Sequence, residues 1–253
     1  MDLRIETFLD IIRDAGTCLM EFSQKDFEVG KKGSAGPVTE ADLAANEILM
    51  RLKHELPGSW YISEESDLDP ARLDSQYVWI VDPMDGTKEF VERIPEYAVS
   101  VALVRSQKIL FSAVYNPHDS LIYQVDHELF VEEGPGAQKE KKPGLCVSRS
   151  ELKRGLFDSF DSFSIEPVGS IAYKLGLVAI GRFEGVISLR PKNEWDIAGG
   201  VGLIEASHKV ACDVLGRKFH WNRMKRLEGV LAGNEDFVKE TLADHNLYAA
   251  FVG

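Results

Sequence analysis

The sequence predicts a layered α/β (α+β) architecture. Three observations lead to it: apolar residues recur at helical spacing near the start of the chain, short and almost wholly apolar runs follow between 77 and 125, and strand-like and helical segments then alternate to the end. Such mixing is what sheets covered by helices require, because each element must bury its apolar face against another layer.

Ile5, Phe8, Leu9, Ile12, Ala15 and Leu19 return every three or four residues, which predicts an amphipathic helix over 3–22. Residues 30–37, glycine-rich with Lys31 and Lys32, read as a flexible basic loop. Thr39 is placed to cap a second helix, with Asp42 in its first turn and Ala45, Ile48, Leu49, Leu52 and Leu56 as its stripe, until Pro57-Gly58 ends it. Tyr77-Val78-Trp79-Ile80-Val81 reads as a buried strand ending in Asp82-Pro83. The runs 97–104, 109–115 and 120–125 are so closely spaced that antiparallel neighbours are expected.

The polar stretch 132–144, with Gly134-Pro135-Gly136 and Lys139, Lys141 and Lys142, is the expected boundary between an N-terminal half, 1–143, and a C-terminal half, 144–253. In the second half, strands are expected at 145–147, 185–189 and 227–232. Helices are expected at 151–156, 171–180 (stopped by Gly181), 195–206 and 235–242.

Composition narrows the functional classes. The chain has 253 residues, enough for a substantial core, and a formal net charge of -12. That balance offers no footprint for a nucleic-acid polymer, yet permits a small anionic ligand where local cations or metal ions invert the sign. Cys18, Cys146 and Cys212 are widely spaced without a Cys-x-x-Cys, so they read as idle thiols in a reducing compartment. The N-terminus lacks the pattern of a secretory leader, and no apolar run approaches the roughly 20 residues of a spanning helix, so the chain reads as cytoplasmic.

Four strings place acids where metal chemistry would use them. The first is Asp82-Pro83-Met84-Asp85-Gly86-Thr87. A carboxylate at the end of a buried strand is costly unless paired. Two carboxylates on one Pro-stiffened turn can grip a hard cation, which prefers oxygen ligands. Gly86 allows close backbone approach, and the N–H groups of Gly86, Thr87 and Lys88 at a helix start suit a phosphate. The other strings are Ser63-Glu64-Glu65-Ser66, Trp195-Asp196-Ile197-Ala198-Gly199-Gly200 and Val38-Thr39-Glu40-Ala41-Asp42. Each alone is compatible with a solvated loop or a helix-start acid.

In this order the four strings resemble the inositol monophosphatase superfamily of lithium-sensitive, magnesium-dependent phosphatases, over about residues 36–235. The resemblance implies an αβαβα sandwich. It implies Glu64, Asp82, Asp85 and Asp196 as metal ligands together with the Met84 carbonyl, with Asp82 bridging two Mg²⁺. Two or three Mg²⁺ per site, or Mn²⁺ in their place, would be the cofactor. Thr87 and Asp42 would orient the attacking water, so Asp42, Glu64 and Thr87 are the expected catalytic residues. No covalent nucleophile is needed, since phosphoryl transfer is mostly positioning and charge stabilisation. The six histidines have no metal-like spacing.

Gly86-Thr87-Lys88-Glu89-Phe90, Cys146-Val147-Ser148-Arg149-Ser150, and Gly169-Ser170 with Lys174 resemble the subgroup that cleaves adenosine 3',5'-bisphosphate. Gly86, Thr87, Lys88, Arg149, Gly169, Ser170, Lys174 and Asp196 are therefore the expected substrate contacts, Arg149 and Lys174 reaching a second phosphate. Arg93-Ile94-Pro95-Glu96-Tyr97 is closer to the inositol phosphatases, and Ser207-His208-Lys209 stands where the family commonly has Gly-Gly. An inositol or other polyol monophosphate thus stays as the second substrate reading. A relative without activity, used as a regulator, is disfavoured because every expected ligand is present. The expected partner is a small phosphorylated metabolite, without a nucleic-acid polymer or an integral membrane segment, the protein being a monomer or homodimer.

Overall fold

The computed structural model describes residues 4–24, 29–31, 37–66, 69–136, 144–158, 164–223 and 226–244. Helix α1 (Ile5–Ser23) buries Phe8, Leu9, Ile12, Ala15 and Leu19, the stripe its periodicity predicts. The expected basic loop is in part paired: β1 (Val29–Lys31) runs antiparallel to β2 (Pro37–Thr39), and 32–36 lie outside the described residues. The second helix divides at Met50 into α2 (Glu40–Leu49) and α3 (Arg51–Glu55). There the Lys53 N–H reaches the Met50 carbonyl only three residues back, a tighter turn than the α-helix allows.

A six-stranded sheet follows, ordered β3 (Trp60–Ser63), β4 (Tyr77–Asp85), β5 (Ala98–Arg105), β6 (Lys108–Asn116), β7 (Ser120–Val125) and β8 (Glu128–Glu133). β3 pairs parallel with β4 and the rest are antiparallel, with α4 (Thr87–Val91) between β4 and β5. Neither β3 nor β8 was expected. β8 is an exposed, glutamate-rich edge strand with no buried alternation for periodicity to detect, a composition that discourages pairing with another chain. The lysines of the expected boundary, 139–142, lie outside the described residues.

The second sheet contains β9 (Leu145–Val147), β10 (Ile165–Pro167), β11 (Gly185–Ser188), β12 (Val210–Cys212) and β13 (Val230–Gly233), in the order β10-β9-β11-β13-β12. Its helices are α5 (Arg149–Leu152), α6 (Ile171–Ala179), α7 (Glu194–Ala206) and α8 (Glu235–Ala243). β10 and β12, three residues each, were not legible beforehand. The expected strand at 227–232 is shorter; Leu227 makes only an isolated bridge to Lys192.

Strand alternation builds the layers. Trp79 and Val81 of β4 face α1 and α2, packing with Phe8 and Phe111, whereas Val78 and Ile80 face α6 and α7. Val186 of β11 joins that second core, while Ile187 faces Phe237 and Val238 of α8. The order is helix, sheet, helix, sheet, helix, so the central strands of both sheets are buried on two faces and read as nearly continuous apolar runs. No helix among the described residues is long and apolar enough to cross a membrane.

Candidate active site

Asp82 lies inside β4, 1% exposed. The expected Pro-stiffened turn is instead strand with an irregularity: pairing with β5 shifts register between Asp82 and Asp85, which re-aims the side chains as a bulge does. The buried Met84 side chain anchors this segment among α1 and α2, while the Met84 N–H donates to Asp82 Oδ1 at 3.0 Å. Gly86 follows at φ 97°, and a Cβ there would lie 2.9 Å from the Glu96 carbonyl, so glycine meets both the backbone and the packing requirement. Thr87 Oγ1 donates to the Met84 carbonyl at 3.2 Å. α4 has only five residues, so it offers the orphan amides of a helix start rather than a large dipole.

Asp42 comes from the first turn of α2, Glu64 from just beyond β3, and Asp196 from the start of α7. Every residue expected to be catalytic, to bind metal or to contact substrate lines one cavity of about 570 Å³, a volume typical of small-molecule sites. Three of these four aspartates share a pattern. Asp82 Oδ1 accepts the Met84 N–H, Asp85 Oδ2 accepts the Ala172 N–H and the Ser170 hydroxyl, and Asp196 Oδ2 accepts the Asn193 N–H at 2.8 Å. In each, the second oxygen takes no hydrogen bond from the described protein.

Pinned carboxylates with one oxygen left over, together with the Met84 carbonyl, form an all-oxygen donor set suited to a hard divalent cation. Among the described residues no three acidic, histidine or cysteine side chains close into a finished cage. Repulsion among like charges is a physical reason for them to stand apart. Burial, followed by Asp85, Glu64, Asp196 and Asp42, pushes the Asp82 carboxyl well above the usual range. Burial and then Asp85 push Asp196 up to about 7, against the Asn193 N–H and Lys192.

These shifts have a sign. A carboxyl whose folded value is raised stabilises the fold in its protonated form, fully below the ordinary carboxylate value near 4 and lost as pH rises toward about 7. The metal-free protein is therefore expected to melt several degrees lower at pH 8 than at pH 5, with Mg²⁺ raising the midpoint more at pH 8. Calorimetry with and without Mg²⁺ checks this; a metal-free midpoint that climbs with pH would contradict it.

Cationic side chains line the cavity as well. Arg149, expected to reach a second phosphate, is already engaged: both Nη atoms bond to the Glu96 carboxylate, and Glu89 lies 3.8 Å away. Lys174 is 2% exposed and donates to the Val168 carbonyl at 3.0 Å. Burial lowers its pKa before neighbouring charges act. The sequence reading missed Lys153 and Lys192, which line the cavity with Lys88. Lys88 and Lys153 are exposed and form no ion pair among the described residues. A signal existed, since Lys153 stands four residues after Arg149 and Lys192 four before Asp196.

Other motifs fall elsewhere. Glu194, which burial pushes up to about 7, accepts the Asn222 and Arg223 N–H groups and holds that loop. Ser207-His208-Lys209 turns from α7 toward β12, with His208 at φ 59°, a conformation that favours glycine; none of the three lines the cavity. No histidine lines it either, and His118 instead bonds the Tyr97 hydroxyl at 2.9 Å.

The chain matches the inositol monophosphatase family over residues 2–247. It is 30% identical to inositol monophosphatase 3 of Solanum lycopersicum, covering 85% of this chain and 89% of that one. It is also 30% identical to the 3'(2'),5'-bisphosphate nucleotidase CysQ of Escherichia coli strain K12, covering 80% and 87%. The crystal structure of extragenic suppressor protein suhB from Bartonella henselae superposes with a TM-score of 0.78 at 26% identity, over 96% of this chain and 97% of that one.

Proposed function

The chain belongs to the inositol monophosphatase family and is a phosphatase acting on small phosphorylated substrates, and from there we propose that it hydrolyses the 3'-phosphate of adenosine 3',5'-bisphosphate, releasing AMP. The observation behind the substrate choice is that lysines line the cavity beside its acids. Asp42, Glu64, Asp82, Asp85 and Asp196 line the cavity, and so do Lys88, Lys153, Lys174 and Lys192, together with Glu89 and Glu92. Lysines lining the cavity in addition to the acids suit a ligand with a second anionic group.

The family is generally metal-dependent, most often on Mg²⁺, and here Glu64, Asp82, Asp85, Asp196 and the Met84 carbonyl would hold it. Bound there, Mg²⁺ supplies positive charge for the phosphoryl oxygens and acidifies a neighbouring water. The chain's residues do the positioning. A carbonyl has two lone pairs, so Met84 can accept from Thr87 and still face a cation. The Thr87 hydroxyl gives its one proton to Met84, which leaves its own lone pairs to accept an O–H of the attacking water. Asp42, buried and lining the cavity, would orient that water with Thr87. The amides of Gly86, Thr87 and Lys88 at the start of α4 would receive phosphate oxygens.

The second reading, inositol or another polyol monophosphate, rests on equal identity to a relative of that name. Phosphate release from adenosine 3',5'-bisphosphate and inositol 1-phosphate, measured side by side with Mg²⁺, separates them. We expect kcat/KM for the nucleotide to be higher by about tenfold or more, the equivalent of one ion pair at 1–2 kcal/mol. Preference for inositol 1-phosphate sinks the nucleotide assignment, and turnover of neither removes both.

A further inference from the structure

Ser170 sits at φ 52° and ψ 123°, a region L-residues rarely adopt and one that costs on the order of 1 kcal/mol or more. The segment before it is fixed from several sides. The Gly169 N–H donates to Glu96 Oε2 at 2.6 Å, and Arg149 grips the same carboxylate. Gly169 also packs so closely on Glu89 that a Cβ would overlap that side chain. So held, the Ser170 hydroxyl donates to Asp85 Oδ2 at 2.6 Å and accepts the Tyr173 N–H at 3.0 Å as the cap of α6. The Ala172 N–H reaches Asp85 Oδ2 as well, at 2.7 Å.

The hydroxyl's single proton is thus committed to Asp85, 85 positions away in sequence, and is not available to a substrate. Two donors converge on Oδ2 and none on Oδ1. A carboxylate held this way cannot rotate without breaking both bonds, so which oxygen it offers is settled before any ligand arrives.

We propose that Ser170 is a positioning residue for Asp85 rather than a substrate contact: its strained backbone and its hydroxyl fix the carboxylate so that Oδ1 faces a divalent cation. This rests on the reading of Asp85 as a metal ligand.

The test is Mn²⁺ binding to the metal-free protein by titration calorimetry, for wild type, Ser170→Ala, Ser170→Gly, Asp85→Asn and the Ser170→Ala/Asp85→Asn double variant. Ser170→Gly keeps a residue that tolerates positive φ, so it decides the matter if Ser170→Ala does not fold. Loss of the hydroxyl is expected to weaken Mn²⁺ binding by about tenfold, the low end for an outer partner of a ligand. In the Asp85→Asn background the same change should alter binding by less than about twofold, because the two act as one unit. KM for the phosphate substrate at saturating metal should stay within about twofold of wild type. Unchanged Mn²⁺ affinity in both single Ser170 variants overturns the proposal. So does an equal loss in the Asp85→Asn background, or a raised KM at saturating metal, which would make Ser170 a substrate contact. A wild-type protein that binds no Mn²⁺ refutes the metal reading itself, and is told apart by that control.

Discussion

Asp82→Asn is expected to lower phosphatase activity by about 10³-fold, roughly 4 kcal/mol of transition-state stabilisation, while raising the melting temperature of the metal-free protein. Both effects come from one atom. Asp82 is 1% exposed and is surrounded by Asp85, Glu64, Asp196 and Asp42, so its negative charge is unfavourable without a cation. Asparagine can keep the hydrogen bond from the Met84 N–H through its carbonyl oxygen and fits nearly the same volume. It removes the charge a divalent ion would use and relieves the repulsion that ion would have relieved. Opposite signs for stability and activity are what a functional acid predicts; a structural acid would lose both. Melting curves with and without Mg²⁺, beside phosphate-release assays, read the two signs. A variant less stable than wild type in the absence of metal would show that the Asp82 charge supports the fold.

Arg182→Ala should cost about 3–5 kcal/mol of stability, the penalty for stripping one partner from a buried ion pair. Arg182 is 8% exposed and its Nη1 bonds both oxygens of Asp119, at 2.7 and 2.6 Å, from just beyond the end of α6. Asp119 is 4% exposed, in the turn between β6 and β7, so the pair ties the central helix layer to the six-stranded sheet. Removing the guanidinium leaves a carboxylate that water barely reaches. Adding Asp119→Asn should recover part of the loss, because part of the penalty is a buried negative charge without its cation, even though the Ser120 hydroxyl still donates to it at 2.9 Å. Urea denaturation of the single and double variants measures this; a loss below about 1 kcal/mol would mean that the pair is effectively solvated. The same helix caps Asp85 at its other end, so α6 is anchored at both termini, once for the fold and once for the site.

How much was legible beforehand differs between elements. α1 was readable because its apolar residues recur with the helical period, and β4, β5, β6 and β7 because they are short, largely apolar runs that a buried strand requires. The edge strand β8 and the three-residue β10 and β12 were not, since pairing partners rather than side-chain pattern make them strands. The break at Met50 left no trace in an apolar stripe that runs on through Leu52 and Leu56. Within the site, the acids were legible because their chemistry is local: Asp82 and Asp85 share one strand end, and Gly86 must follow them. The cations were not. Arg149 looked available until Glu96, 53 positions away, was found holding it, whereas Lys153 and Lys192 went unnoticed beside the cavity they line.

The sequence by itself determined the apolar faces that stack into five layers and the order of the acids that meet between them. Burying an apolar stripe and displaying two carboxylates from one strand end both depend on near neighbours. Only the tertiary structure decided which polar groups are left over for a ligand. Ser170 and Arg149 are chemically able to bind a phosphate, yet their donors are directed to Asp85 and Glu96, residues distant in sequence. Hydrogen-bond satisfaction is a property of the whole packed interior, so the groups still free to act emerge only when every buried donor and acceptor has found its partner.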